Sequence, residues 1–224
     1  MGFPKRMVGM TTFPVTAFPV ISALILSAFV HLTMAAENPM PTPPAPATTA
    51  SIIVAGGCFW CVESCFEEVP GVTEAVSGYV GGTVDKPTYE AVCGGTTGHT
   101  EAVRVTYNPA LVDLPKLFDV FFHVHDPTTL NRQGADHGTQ YRSGIFVADA
   151  AQLTAAQAAV VAAQPRFSSP IVTEITNLAI TGPARFFPAE EYHQNYFKRH
   201  PDQAYCRATI PPKLDKLRKL LQKK

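Results

Sequence analysis

The sequence predicts an α+β domain, a two-layer sandwich in which a mixed, mainly antiparallel sheet is flanked by helices and an irregular C-terminal segment follows. Short apolar stretches compatible with strands recur between Ile52 and Leu178. Stretches with apolar residues at helical spacing are interleaved with them, and Gly, Pro and Asn mark the boundaries. That mixture of helices with strands able to pair antiparallel is the pattern of an α+β fold.

In chain order, Ile52-Ile53-Val54 reads as a buried strand closed by Gly56-Gly57. Phe59, Val62, Phe66 and Val69 recur at helical spacing until Pro70-Gly71. Val72 to Tyr79 and Thr100 to Tyr107 read as strands, the second ended by Asn108-Pro109. A helix follows, with Asp113 near its start and Leu117, Phe118, Phe121 and Phe122 facing inward. Tyr141 to Val147 is a strand, Thr154 to Ala163 an alanine-rich helix and Ile171 to Leu178 another strand. Glu190 to Arg199 and Pro212 to Lys223 are expected to be helical. No internal repeat is present.

Three segments precede or form this unit. Lys5 and Arg6 stand before an apolar stretch from about Phe13 to Leu32, and Thr33-Met34-Ala35 supplies small residues near a cleavage point. Residues 1–36 are therefore expected to be an export signal or an N-terminal membrane anchor, with cleavage favoured because polar, proline-rich sequence follows at once. Residues 37–50 form a proline-rich linker, and residues 51–224 the folded domain. Lys and Arg number 18, as do Asp and Glu, so nothing points to nucleic acid. The basic run Lys213–Lys224 is more simply the solvated face of a last helix. Five cysteines are too few and too irregular for a disulfide-stapled miniature fold, which leaves cysteine chemistry at a site.

Gly56-Gly57-Cys58-Phe59-Trp60-Cys61 places a thiol after a strand and at the first turn of a helix. Unpaired N–H groups and the helix dipole there favour a thiolate. Phe59 and Trp60 are suited to form an aromatic floor for a small apolar group. An ordinary buried cysteine is about as common at such a position, and the Cys-x-x-Cys spacing tilts the balance toward redox chemistry. Glu101 alternates with Val103 and Val105 and so shares their buried face, where a carboxyl keeps its proton to higher pH. The pattern equally allows a Glu at the strand edge paired with an arginine. His99, His123, His125 and His137, with Asp126, do not have the spacing of a known zinc module. The paired glycines match no phosphate-binding loop.

The strings GCFWCVE, GTTGHTEAVRVTYNP, HDPTTLNRQGADHGTQYRSGIF and AEEYHQNYF occur in that order. Together they resemble the peptide methionine sulfoxide reductase A family over roughly Ile52 to Cys206. The resemblance implies a thiol enzyme that reduces methionine-S-sulfoxide, free or in proteins. In it Cys58 is the nucleophile, Glu101 the acid, and Tyr89 and Tyr141 hydrogen-bond the sulfoxide oxygen. Phe59, Trp60, Asp136 and Tyr196 line or border the pocket. Cys206, expected in an irregular, flexible segment, would resolve the Cys58 sulfenic acid, with Cys61 as competitor. Arg207 to Lys224 lacks the second recycling cysteine found in one family pattern, so the disulfide would be reduced directly by a thioredoxin-like donor. The resemblance further implies oxidised proteins and peptides as substrates, and the chain is expected to hold no bound cofactor or metal, to be a monomer and to make no membrane contact through its catalytic domain, while its N-terminal segment points to an exported, periplasmic or envelope location.

Overall fold

The computed structural model describes residue 14, residues 48–178 and residues 185–222. The expected export segment, apart from Pro14, and most of the linker lie outside the described residues. The elements described below belong to the unit Ala45–Lys224.

In chain order they are β1 (Ala50–Gly56), α1 (Phe59–Phe66), β2 (Val72–Val80), α2 (Tyr89–Cys93), β3 (Thr100–Tyr107), α3 (Leu114–Val124), β4 (Arg132–Gln133), β5 (Asp136–His137), β6 (Ser143–Val147), α4 (Ala150–Ala163), β7 (Glu174–Asn177), β8 (Phe187–Pro188), α5 (Tyr196–Arg199) and α6 (Ala204–Gln222). Six strands form one sheet in the order β7-β6-β1-β3-β2-β8, and β4 pairs with β5 separately. Within the large sheet β6 and β7 run parallel, and the other neighbours are antiparallel.

Alternation along the central strands explains the layers. Val54, Val103, Val105 and Ile145 point into the main core with Phe59 and Phe66 of α1, Phe118 and Phe121 of α3, and Ile210 and Leu217 of α6. Their neighbours Ala55, Ala102 and Phe146 turn to the opposite face, where a smaller cluster is covered by Phe186 and Leu178. Asp113 caps α3 by accepting from the Lys116 amide at 2.9 Å, and Asp149 caps α4 through the Gln152 amide at 2.8 Å.

Three stretches depart from the sequence expectation. The helix expected over Glu190–Arg199 is broken: a single tight turn at Glu191–His193 precedes α5, and Asn195 between them has φ 53°. A left-handed residue ends helical propagation. α6 begins at Ala204, not Pro212, because the Gln203 side chain accepts the Cys206 amide at 3.0 Å and the helix then runs through Pro211 and Pro212. An interior proline costs about 3 kcal/mol. Ile210, Leu214 and Leu217 form a continuous buried stripe, each contributing about 1.5–3 kcal/mol, a total of the same order as the cost of the two prolines. The third departure is α2, started by Thr88, whose hydroxyl accepts from the Ala91 amide. It is too short to show a periodicity.

Gly57, between β1 and α1, has φ 90°, and a Cβ there would lie 2.5 Å from the Gln133 side chain. Both the backbone region and the space require glycine. Gly57→Ala is expected to lower stability by about 1–3 kcal/mol, read as a lower urea midpoint with an unchanged slope.

Candidate active site

Cys58 is the residue before α1, with φ −53° and ψ 122°, and its side chain makes no capping bond. The neighbouring strand supplies the cap instead: Glu101 of β3 accepts from the Phe59 amide at 2.9 Å. Glu101 is 1% exposed. Burial raises its pKa to about 8, against the Phe59 hydrogen bond, with the negative charge of Asp136 adding to the rise. A carboxyl proton is thus retained at neutral pH beside the thiol.

Cys58, Phe59, Trp60, Tyr89, Glu101, Asp136, Tyr141, Gln203 and Tyr205 enclose a cavity of about 260 Å³. Its aromatic wall is braced from behind. Trp60 stacks on Tyr196 with ring centroids 3.8 Å apart and planes 7° from parallel, and its indole N–H donates to His193 Nδ1 at 3.2 Å. Phe59 packs on Trp60, Tyr79, Tyr89 and His193. Glu190 clamps the Tyr89 end: it accepts from the Tyr89 amide at 2.9 Å and from the Tyr79 hydroxyl at 2.8 Å. Asp136 accepts from the Tyr205 hydroxyl at 2.6 Å. Burial pushes the phenols of Tyr89, Tyr141 and Tyr205 up, so each stays protonated and able to donate. Tyr196 is placed behind Trp60 and does not line the cavity.

The thiols differ from the sequence expectation. A helix start favours a thiolate at Cys58, but burial pushes that thiol well up, and its contact with Cys61 adds to the rise. Cys61 moves the other way, first through its hydrogen bond with Cys58. The two thiols share their titration, so neither shift belongs to one sulfur alone. Cys61 Sγ also lies 3.8 Å from Thr209 Oγ1 and 4.0 Å from the Tyr205 hydroxyl. Cys206, expected in an irregular segment, is instead in the first turn of α6, 0% exposed. It lines neither the aromatic-walled cavity nor the larger one on the other side of Cys58. Cys65 is core packing, and Cys93 meets the Tyr89 hydroxyl.

Four residues of the site, Tyr205, Gln203, Glu190 and His193, are not singled out by the sequence. Tyr205 and Gln203 face the cavity only because α6 starts early. Glu190 and His193 stand in the AEEYHQNYF string, and the only available signal is their place beside Tyr196. Two of the histidines discounted as metal ligands make structural hydrogen bonds: His125 with Phe121 O at 2.7 Å and Ser143 Oγ at 2.8 Å, and His99 with the Gly82 amide at 3.1 Å and Val84 O at 2.8 Å.

The family model described as peptide methionine sulfoxide reductase matches residues 50–224. The peptide methionine sulfoxide reductase MsrA of Ralstonia nicotianae is 49% identical over 168 residues, which cover 74% of this chain and 87% of that protein. The MsrA of Deinococcus radiodurans is also 49% identical, over 74% of this chain and 79% of its own. Among solved structures, methionine sulfoxide reductase A of Corynebacterium diphtheriae superposes with a TM-score of 0.66 at 38% identity, covering 70% of this chain and 77% of that one. Mxr1 of Saccharomyces cerevisiae in reduced form gives a TM-score of 0.66 at 38% identity, covering 72% and 91%. With the mixed sheet, the cysteine at the start of α1 and the proton-holding glutamate beside it, these matches show that the chain belongs to the peptide methionine sulfoxide reductase family.

Proposed function

We propose that this chain reduces methionine-S-sulfoxide, free or in peptides and proteins, to methionine, and so repairs oxidised proteins. The observation that carries the reading is the pairing, in one aromatic-walled cavity, of the Cys58 thiol with a buried carboxyl that keeps its proton to about pH 8. The substrate methyl packs against Phe59 and Trp60, an apolar surface held rigid by Tyr196 and His193. The sulfoxide oxygen takes hydrogen bonds from Tyr89 and Tyr141, which are neutral donors suited to an apolar pocket. Asp136, fixed by Tyr205, orients the amide groups next to the sulfoxide.

Chemistry then needs a nucleophile at sulfur and a proton at oxygen. The Cys58 sulfur attacks the sulfoxide sulfur while Glu101 protonates its oxygen, and the proton that leaves the Cys58 thiol returns to the Glu101 carboxylate. Oxygen ends on Cys58 as a sulfenic acid and methionine leaves, so the substrate is reduced by two electrons and the thiol oxidised by two. A second thiol condenses with the sulfenic acid, forming a disulfide and water. A thioredoxin-like dithiol restores the enzyme. Residues 1–36, read as an export signal or an N-terminal membrane anchor, support a periplasmic or cell-envelope location for this activity. There, thiol repair requires a donor maintained on the same side of the membrane.

The two sulfoxide epimers test the reading, since each is handled by a different enzyme. With a small dithiol as reductant, the protein is expected to consume the S epimer of a methionine sulfoxide peptide and leave the R epimer intact. Consumption of the R epimer alone, or of neither, overturns the reading.

A further inference from the structure

We propose that Cys61 is the thiol that resolves the Cys58 sulfenic acid, so that the first disulfide is Cys58–Cys61, reached by the reductant through the larger cavity that both cysteines line. The inference rests on the reductase reading and names the residue that completes its cycle.

Three observations support it. Cys58 precedes the first turn of α1 and Cys61 is the third residue of that turn. This is the spacing at which a helix-capping side chain meets the backbone three residues on, and the two thiols hydrogen-bond each other. By contrast, Cys206 is 0% exposed within α6. Bringing it to Cys58 requires unwinding the start of a helix whose next buried residue, Ile210, is also 0% exposed.

The third observation is the second cavity, of about 750 Å³, lined by Cys58, Cys61, Tyr205, Thr209, Lys213 and Lys216 among others. Phe59, Trp60, Tyr89, Glu101 and Tyr141, which wall the substrate pocket, do not reach it. Cys58 therefore has one side toward substrate and another toward this cavity. Asp136 and Tyr205 also line both cavities, so a donor entering the larger one meets Cys58 from a side that the aromatic wall does not cover.

The steps balance. Cys58–SOH and Cys61–SH give the Cys58–Cys61 disulfide and water. A donor thiolate entering the larger cavity attacks Cys58 Sγ, the sulfur of the more exposed residue at 7% against 2%, and Cys61 leaves as a thiolate. The positive charge of Lys213 stabilises that thiolate, which the Cys58 hydrogen bond already favours. The second donor thiol then displaces Cys58, and the donor departs as its own disulfide.

The experiment treats the reduced full chain, without further reductant, with excess methionine-S-sulfoxide peptide. It counts methionine released per enzyme and maps disulfides by mass spectrometry in the unsubstituted protein, Cys61→Ser and Cys206→Ser. The expected result is about one equivalent of methionine from the unsubstituted protein with a Cys58–Cys61 bond, and the same bond in Cys206→Ser. In Cys61→Ser, Cys58 is expected to remain a sulfenic acid that a β-diketone traps, and turnover with a small dithiol to fall by about 10-fold or more. A Cys58–Cys206 bond in the unsubstituted protein, or sulfenic acid accumulating in Cys206→Ser and not in Cys61→Ser, overturns the inference and leaves the reductase reading intact. Absence of methionine from the unsubstituted protein sinks the reductase reading itself. The unsubstituted protein's disulfide map decides the matter even if a variant fails to fold.

Discussion

Cys58→Ser is expected to abolish methionine formation, with kcat/KM falling by about 10⁴-fold or more, as removal of a catalytic nucleophile commonly does. A serine hydroxyl at this position has no adjacent base: the nearest carboxyl, Glu101, holds its own proton to about pH 8 and spends a lone pair on the Phe59 amide. The substitution should leave the fold intact. Cys58 contributes no capping bond to α1, and the turn before it is set by Gly57. The check is methionine released from the S epimer, together with an unchanged urea midpoint. Loss of activity with retained stability is the expected pair of results. Turnover surviving in a folded Cys58→Ser would move the nucleophile elsewhere, with Cys61 the first candidate.

Glu101→Gln is the second large effect. An amide keeps the shape and accepts from the Phe59 amide as the carboxyl does, but it has no proton to transfer. General acid catalysis contributes about 10²–10⁴-fold, and a loss in that range in kcat/KM is expected. The pH profile separates this from mere repositioning. The working form of Glu101 is the protonated one, so kcat/KM of the unsubstituted enzyme should fall as pH rises through about 8. Glu101→Gln should lose the limb that belongs to this group. Stability carries the same signature. A native pKa of about 8 against an ordinary value of 4.5 means that the folded protein binds more protons than the unfolded chain. This group's stabilising contribution is complete below about pH 4.5 and is lost as pH rises through about 8. Glu101→Gln should therefore show a flatter dependence of unfolding free energy on pH over that window. Unchanged profiles in both measurements would remove Glu101 as the acid.

The features legible in the sequence are those whose physics is local. Strand alternation puts Glu101 on the face of Val103 and Val105, and the structure places all three in the buried layer. The Gly-Gly-Cys junction foretells a thiol at a helix start, since tight turns need glycine and Gly57 has the φ that demands it. The sign of the charge at that thiol is not legible. The helix dipole acts over one turn and is readable from sequence, whereas the burial that opposes it depends on what packs above Cys58. Cys206 shows the same limit. Proline at 211 and 212 reads as a helix boundary, and only the buried stripe from Cys206 through Leu217 shows that the helix runs across it. Tyr205 and Gln203 reach the cavity as a result of that early start. The brace of Glu190, His193 and Tyr196 behind the aromatic wall joins segments more than a hundred residues apart in sequence and has no local signature.

The central claim is that oxygen passes from the substrate to Cys58. The most direct measurement uses the reduced Cys61→Ser/Cys206→Ser double variant, one equivalent of methionine-S-sulfoxide peptide and no reductant, followed by the mass of the peptide containing Cys58. The account predicts methionine in proportion to enzyme and a Cys58 peptide heavier by one oxygen, with no gain when methionine replaces the sulfoxide. Methionine formed while Cys58 stays an unmodified thiol would contradict it.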